Sequence, residues 1–447
     1  MSAEKQYTDL FTQYGDVVCR HAPGCMNIPR TQAFADFKRT GFPSLKHEDY
    51  RYTDVAQSFA PDYGLNINRL KAPVNAEDVF RCAVPNMRTH LFFAVNDLLY
   101  DDALPAIPMP EGVYAGSMKR FAERYPDVAS RYYGKIAETP SDAITAFNTL
   151  FAQDGFVLYV PRNVKLDRTV QLVNIFRSAV DIMANRRILV IMEPCSEAKL
   201  LVCDHSLDNV KCLSTQVIEI FAGEGACFDY YDLEESTLST TRYSSLYVKQ
   251  EAQSNVLVNG ITLYNGLTRN NYTIRLDGEG AETTLCGMAI QDKHQHVDTH
   301  THITHAVPNC KSTELFKNVL EGHATGIFSG RILVAPEAQK TKAYQTNHNM
   351  CLTREAGMYS KPQLEIYADD VKCSHGMTTG RLDEKALFYM QSRGLSRDEA
   401  KTLLSVAFTA DVIENVRLDA LKDRLHYLVE KRFRGELIQC SGCRVCK

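Results

Sequence analysis

SEAKLL (196–201), EGACFDYY (224–231), QEAQSNVLV (250–258) and EGAETTLCG (279–287) repeat one small theme. Each sets an alanine after a turn-forming acidic or glycine residue, then runs into a strand-like stretch. The alanines, Ala198, Ala226, Ala252 and Ala281, are 28, 26 and 29 residues apart. Around them FVLYV (156–160), ILVIM (188–192), QVIEIF (216–221), NVLVNGITLY (255–264), YTIRL (272–276) and RILVA (331–335) are rich in Val, Ile, Leu and aromatic residues. No long helical pattern interrupts them from Gly155 to about Gly380. A repeat of about 20 to 30 residues without helices predicts a solenoid of strands, a parallel β-helix with one coil per repeat. The rival, a large β-sandwich, needs regular hairpin turns, and Asn259-Gly260 and Asn265-Gly266 stand isolated.

Outward from the repeat the texture changes on both sides. Residues 1–153 mix helical patterns with loops rich in proline and tyrosine. In PSDAITAFNTLFAQDG (140–155), Pro140 and Ser141 read as a helix start and Gly155 as its stop. Ile144, Phe147, Leu150 and Phe151 form its apolar stripe. After Gly380 the chain becomes helical again. One helix is capped by Asp383 and ended by Gly394, and the next opens with the capping box Ser396-x-x-Glu399. A third carries Leu421, Leu425, Leu428 and Val429 on one side. Three units follow: a mostly helical region to residue 153, a β-helix over 154–380, and a helical domain with a cysteine-rich tail over 381–447.

Bulk properties bound the function. The 447 residues carry 50 Lys and Arg against 54 Asp and Glu, a net charge of −4. Such balance argues against a general nucleic-acid binder. No apolar run approaches the roughly 20 residues that span a bilayer, and MSAEKQYTDLFTQYG lacks a secretory signal pattern. A cytoplasmic setting is expected, in which the fourteen cysteines serve as packing residues, metal ligands or redox groups rather than as a disulfide framework.

Three clusters carry potential chemistry. KHQHVDTHTHITH (293–305) holds five of the thirteen histidines. His294, His296, Asp298, His300 and His302 fall on alternate positions, hence on one face of a strand. His294, His296 and His300 there suit a zinc or iron site, and the same pattern suits a polar, solvent-facing ladder. The last eight residues, CSGCRVCK, space Cys440, Cys443 and Cys446 as C-x-x-C-x-x-C, which fits thiolate ligation of metal or a flexible reactive tail. KCSHG (372–376) sets Cys373 and His375 on one strand face, a pairing that suits covalent catalysis, soft-metal binding or plain packing. No phosphate-binding P-loop, G-x-S-x-G or H-E-x-x-H motif occurs. Asp369-Asp370, adjacent in sequence, reads as a turn or salt-bridging pair rather than an acid/base pair.

The run from about Gly287 to Phe408 is distinctive. It includes QHVDTHTHITH (295–305), STELFKNVLEG (312–322), GIFSGRILVAPEAQKTKAYQTN (326–347) and KPQLEIYADDVKCSHGMTTGRLDEKALFYMQSRGLSRDEA (361–400). It resembles the SufB/SufD family of iron–sulfur cluster assembly proteins. FNTLFAQDGFVLYVP (147–161) and HEDYRYTDV (47–55) agree with the family's N-terminal half, with Tyr50 where Trp is common. CSHG followed by GRLDE, together with the length, resembles the SufD type more than the SufB type, which tends to have Glu in place of Gly376.

The resemblance implies a mainly β protein: a right-handed parallel β-helix between a helical N-terminal region and a helical C-terminal domain. It implies a non-catalytic scaffold subunit that pairs with a SufB-like chain through the β-helix and docks a SufC-like ATPase through its C-terminal helices. Phe388, Tyr389, Arg393 and Phe408 are the docking residues assigned on those helices. Cys373 and His375 are implied to lie at the junction, His375 as ligand to iron or a nascent cluster and a partner thiolate completing the set. No tightly bound cofactor is expected; iron or a cluster is transient in the complex, and a reduced flavin is suspected for related assemblies. Alone, the chain is expected to pair with itself through exposed β-helix ends. The alternatives are a SufB-like primary scaffold and a metal-dependent β-helix enzyme around the histidine face. The CSGCRVCK tail and His302 stand outside the family pattern.

Overall fold

The computed structural model describes residues 2–73, 84, 87–100, 108–208 and 210–436. Its centre is a parallel β-solenoid built from two facing ten-stranded sheets. The chain visits them alternately. Ile182–Met192, Cys212–Ala222, Thr240–Gln250, Leu267–Leu276, His296–His305, Thr325–Val334 and Gly357–Ile366 stack in one sheet. Glu197–Ser206, Cys227–Glu235, Asn255–Tyr264, Glu282–Gln291, Lys311–Leu320, Lys342–Cys351 and Lys372–Gly380 stack in the other. Each strand therefore pairs with the one a full coil later, and the fold is mainly β with helices at both ends.

The registers show what repeats. Ser196, Ala226, Ser254, Ala281, Cys310 and Thr341 occupy equivalent positions at the start of successive coils and are all 1% exposed or less. Two of the four alanines, Ala226 and Ala281, belong to this column. Ala198 lies two residues past it and Ala252 two residues before it, in the turn. The requirement shared by the coils is thus small size under a tight turn, which serine, cysteine and threonine also meet. The residue before each column member, Cys195, Gly225, Gln253, Gly280, Asn309 and Lys340, has φ between 54° and 73°. One left-handed residue per coil makes the corner, and only two of the six are glycine, so the turn chemistry hides from a glycine search.

Strand alternation sends every second side chain inward. One inward file of the second sheet reads Val170, Leu200, Tyr230, Val258, Leu285, Glu314, Gln345 and His375, each in register with the next. Its first five members join the apolar core and are 0% exposed. Beside them the early coils bury a closed charge network. Arg186 meets Asp204 at 2.7 Å, Arg242 meets Asp204 at 3.0 Å and also Asp232, and Thr268 donates to Glu234 at 2.8 Å. Burial pushes Glu234 up to about 7 despite Arg242.

The N-terminal helices pack an aromatic cluster of Tyr7, Phe37, Phe42, Phe59, Phe147 and Phe151. Helix Ala143–Phe151 is capped by Asp142, which accepts from Ile144 N and Thr145 N, rather than opening at Pro140 and Ser141. Every residue in it is buried, so the expected one-sided stripe is replaced by a helix enclosed all round. Its polar members are satisfied: Asn148 Nδ2 donates to Arg186 O at 3.0 Å and to Thr215 Oγ1 at 2.9 Å. The N-terminal region also lends strands to the sheets, since Thr89–Val95 pairs with Thr169–Phe176 and Tyr114–Ser117 with Phe156–Val160.

At the other end, helices Glu384–Ser392, Arg397–Glu414 and Asp419–Phe433 follow the last strand. Asp383 and Ser396 cap the first two. Val412, Ile413, Leu421, Leu425, Leu428 and Val429 pack with Leu257, Leu263, Met288 and Ile290 on the outer face of the second sheet. Arg432 pins the last helix, donating to Leu263 O at 2.6 Å and to Gln295 Oε1 at 2.9 Å.

Candidate functional site

Lys372–Gly380 is the terminal strand of the second sheet. It pairs on one side with Lys342–Cys351, and no described strand covers its other edge. Cys373 stands over Ala343 and His375 over Gln345, so both sit on inward files at the mouth of the solenoid. Cys373 is half-buried against the apolar core, whereas His375 is exposed. Burial raises the Cys373 thiol above its ordinary range, and a backbone hydrogen bond at Ala343 only partly offsets this. A neutral thiol is a weak nucleophile and ligand until a cation displaces its proton. The exposed ring of His375 has a nitrogen lone pair to offer a soft or borderline metal. Among the described residues no three His, Cys, Asp or Glu side chains converge as a metal cluster.

Beneath His375 the file is polar. Gln345 Nε2 donates to Glu314 Oε2 at 2.8 Å, and both residues are 1% exposed. Burial pushes Glu314 up to about 7, against the opposing pull of hydrogen bonds from Thr301 and Gln345. These two residues escape sequence reasoning because Glu314 and Gln345 look like ordinary strand polar positions. The only signal is phase: in STELF, Ser312 and Glu314 share the inward parity of Phe316.

The histidine stretch is divided by the fold. His296, Asp298, His300 and His302 share the outer face of strand His296–His305. His294 is not on that strand; it lies in the preceding turn, where its ring stacks on His323 at 5.0 Å. The left-handed Lys293 makes that turn and breaks the alternation. The remaining face is covered by residues 47–53 of the N-terminal region. Thr53 Oγ1 donates to Asp298 Oδ2 at 2.6 Å and lies 2.9 Å from His296 Nε2. His300 Nε2 sits 2.9 Å from Asp298 Oδ1, and Arg269 pairs with the same carboxylate. Burial alone pushes the Asp298 carboxyl up, yet Arg269 and His300 hold it well below the usual range. Tyr52 stacks on Tyr359 at 4.1 Å and Glu48 pairs with Lys361, closing the strap over the last coils. His296 Nε2 and His300 Nε2 thus both lie against internal groups, Thr53 and Asp298. His302 faces a cleft of about 780 Å³ shared with Asn271, Arg275 and Arg331, and burial lowers its pKa. His305 points inward, 2.8 Å from Ser312 Oγ.

The four residues expected to dock a partner also separate. Phe388 and Tyr389 are 72% and 59% exposed on helix Glu384–Ser392. Arg393 lies over the Tyr389 ring at 5.2 Å. Phe408 is half-buried, with Lys317 Nζ 4.9 Å from its ring and donating to its carbonyl at 2.8 Å. It is engaged with its own solenoid. Asp369 and Asp370 lie in a bend, where Lys340 N donates to Asp370 O. Cys440, Cys443 and Cys446 lie outside the described residues.

Comparison with known proteins adds an independent line. Residues 175–408 match the model of the SufBD core domain of SUF-system FeS cluster assembly, and residues 1–172 match the SufBD protein N-terminal region. An iron–sulfur cluster assembly SufBD family protein of Synechocystis is 26% identical over 413 residues, covering 90% of this chain and 87% of the relative. The iron–sulfur cluster assembly protein SufD of Escherichia coli is 37% identical over 167 residues, 37% of this chain and 40% of that protein. SufD of Bacillus subtilis is 25% identical over 327 residues, 72% of this chain and 75% of that protein.

Proposed function

The chain belongs to the SufBD family of iron–sulfur cluster assembly proteins, and from that premise we propose that it is the SufD-type scaffold subunit of a cluster-assembly complex. In this reading it is not itself an enzyme. It supplies His375, with Cys373 beside it, as half of a site at the mouth of the solenoid, and a SufB-like chain supplies the rest. The single observation that carries the proposal is the placing of Cys373 and His375 on a terminal strand whose outer edge no described strand covers. A cluster takes about four protein ligands, and the terminal strand itself brings one exposed ring and one half-buried thiol. The free edge is also suited to strand addition by a partner. Tyr344, Tyr359, Ile366, Tyr367 and Met377 leave apolar surface exposed around it, as a protein interface requires.

Phe388 and Tyr389 support docking of a SufC-like ATPase, because large exposed aromatics on a short helix are typical interface anchors. Arg432 fixes the last helix to the middle coils, so movement imposed by the ATPase reaches the solenoid as a rigid pull. The cluster is cargo in this scheme. A site split between two chains stays open to release it when the junction shifts. No described helix is long and apolar enough to cross a membrane. A cytoplasmic location is part of the proposal and follows the bacterial SufD relatives.

Co-expression with a SufB-like chain and its ATPase tests this directly. The expected result is a three-component complex that gains iron and acid-labile sulfide on reconstitution. His375→Ala is expected to leave the complex assembled while its cluster yield falls. A chain that associates with neither partner overturns the scaffold reading, and normal yield from His375→Ala overturns the ligand role.

A further inference from the structure

A histidine that ligates through one ring nitrogen needs its other nitrogen fixed by an acceptor, or the ring is left free to rotate and change tautomer. The interior file directly beneath His375 holds such an acceptor. Gln345 is the in-register neighbour of His375 on the adjoining strand. Neighbouring strands are about 4.8 Å apart, within reach of two long side chains on the same file. Gln345 is 1% exposed, and its Oε1 has no hydrogen-bond partner although it is buried. Its Nε2 is already committed, donating to Glu314 Oε2 one strand further in. Because the amide is planar, anchoring its nitrogen inward turns the oxygen away from Glu314.

The opposite wall is shaped for this amide. A Cβ at Gly330 would lie 2.3 Å from Gln345 Nε2, a separation no real contact allows. Only glycine at that place leaves room for Gln345 in this rotamer. An unsatisfied buried carbonyl oxygen costs about 1–3 kcal/mol, and the nearest ring that could turn toward this one is that of His375, its in-register neighbour.

We propose that Gln345 is a positioning residue for His375: its Oε1 accepts the N–H of the nitrogen that does not ligate, and Glu314 sets the amide orientation that makes this possible. The proposal rests on the reading of His375 as a cluster ligand. Glu314 acts as an acceptor for Gln345 Nε2 whether it carries its proton or not, since one oxygen remains available. The chain of dependence is Glu314 to Gln345 to His375, with the first two residues never touching the cargo.

Long-range proton–nitrogen NMR on the full chain labelled with 15N-histidine reads the ring directly, and His375→Ala identifies its signals. Wild type is expected to show one neutral tautomer at His375. Gln345→Leu, close in volume, is expected to give mixed tautomers and to lower reconstituted cluster yield about tenfold, the lower bound for loss of an outer partner of a metal ligand. Glu314→Leu frees the amide to flip and is expected to behave like Gln345→Leu. Glu314→Gln keeps a carbonyl oxygen toward Gln345 and is expected to restore both the single tautomer and the yield. Unchanged tautomers in Gln345→Leu overturn the proposal, whatever happens to yield. So does a changed tautomer with full yield. Loss of yield in Glu314→Gln as severe as in Glu314→Leu also overturns it. If His375→Ala alone keeps full yield, the ligand reading fails, and the spectra still report whether Gln345 holds the ring.

Discussion

The two ends of one inward file differ in kind. In the early coils Val170, Leu200, Tyr230, Val258 and Leu285 lie in the apolar core, each 0% exposed. In the last three coils the same file turns to Glu314, Gln345 and His375, and its final member reaches solvent. Outside, the middle coils are clamped by the C-terminal helices through Arg432, whereas the last strand keeps an open edge. The parallel stack of strands runs through both ends, and the side chains of this file change from apolar to polar along it. Stability is concentrated where the file is apolar, and chemistry where it is polar, because a buried polar group is tolerated only with a partner.

Exchanging the character of the two ends breaks that contrast most severely. Val258→Glu places an acid with no partner in the apolar stretch and is expected to cost about 4 kcal/mol or more in a urea titration. Glu314→Gln probes the polar end by pH. Glu314 titrates near 7 in the folded protein, above its unfolded value of 4.5. The folded state therefore holds the extra proton between those values, and the stability it contributes is fully present below about 4.5 and lost as pH rises through about 7. The Gln variant lacks that loss, so its advantage over wild type is expected to grow across this window to on the order of 3 kcal/mol at pH 8. Equal pH slopes for both proteins would show that Glu314 is ionised throughout.

Arg432→Met sharpens the outer half of the comparison. It removes the clamp on the middle coils and is expected to cost about 2–3 kcal/mol, with earlier proteolysis of the C-terminal helices as the readout. The smallest expected change in stability belongs to His375→Ala, within about 0.5 kcal/mol. The same variant is expected to lose cluster yield in the complex. A large stability loss there would mean that the mouth of the solenoid is a packed core after all.

Much of this was legible beforehand. The spacing near 28 residues and the absence of helices pointed to a solenoid, and Asp383 and Ser396 announced their helices. Phase was harder. The alanine series mixed two true column members with two near misses, because the turn asks for a small residue of any type and a left-handed corner that Cys195, Gln253, Asn309 and Lys340 supply without glycine. Helix Ala143–Phe151 read as amphipathic, since nothing local says that its polar side is roofed by a sheet. The histidine face was found by alternation, but His294 fell outside it when the turn at Lys293 reset the phase. Cys373 and His375 were read on one face, and they stand on adjacent inward files. Gln345 and Glu314 carry no local signal, because their meaning comes from residues about 30 positions away along the chain.

By itself the sequence determined the repeat, the apolar alternation and the helix caps. These are local, set by strand period, turn geometry and the first turn of each helix. Tertiary structure alone decided which polar residues stack beneath His375, which histidines the strap of residues 47–53 covers, and which strand edge stays open. Those outcomes depend on register between coils, and register is a sum over many contacts that no short stretch of chain contains.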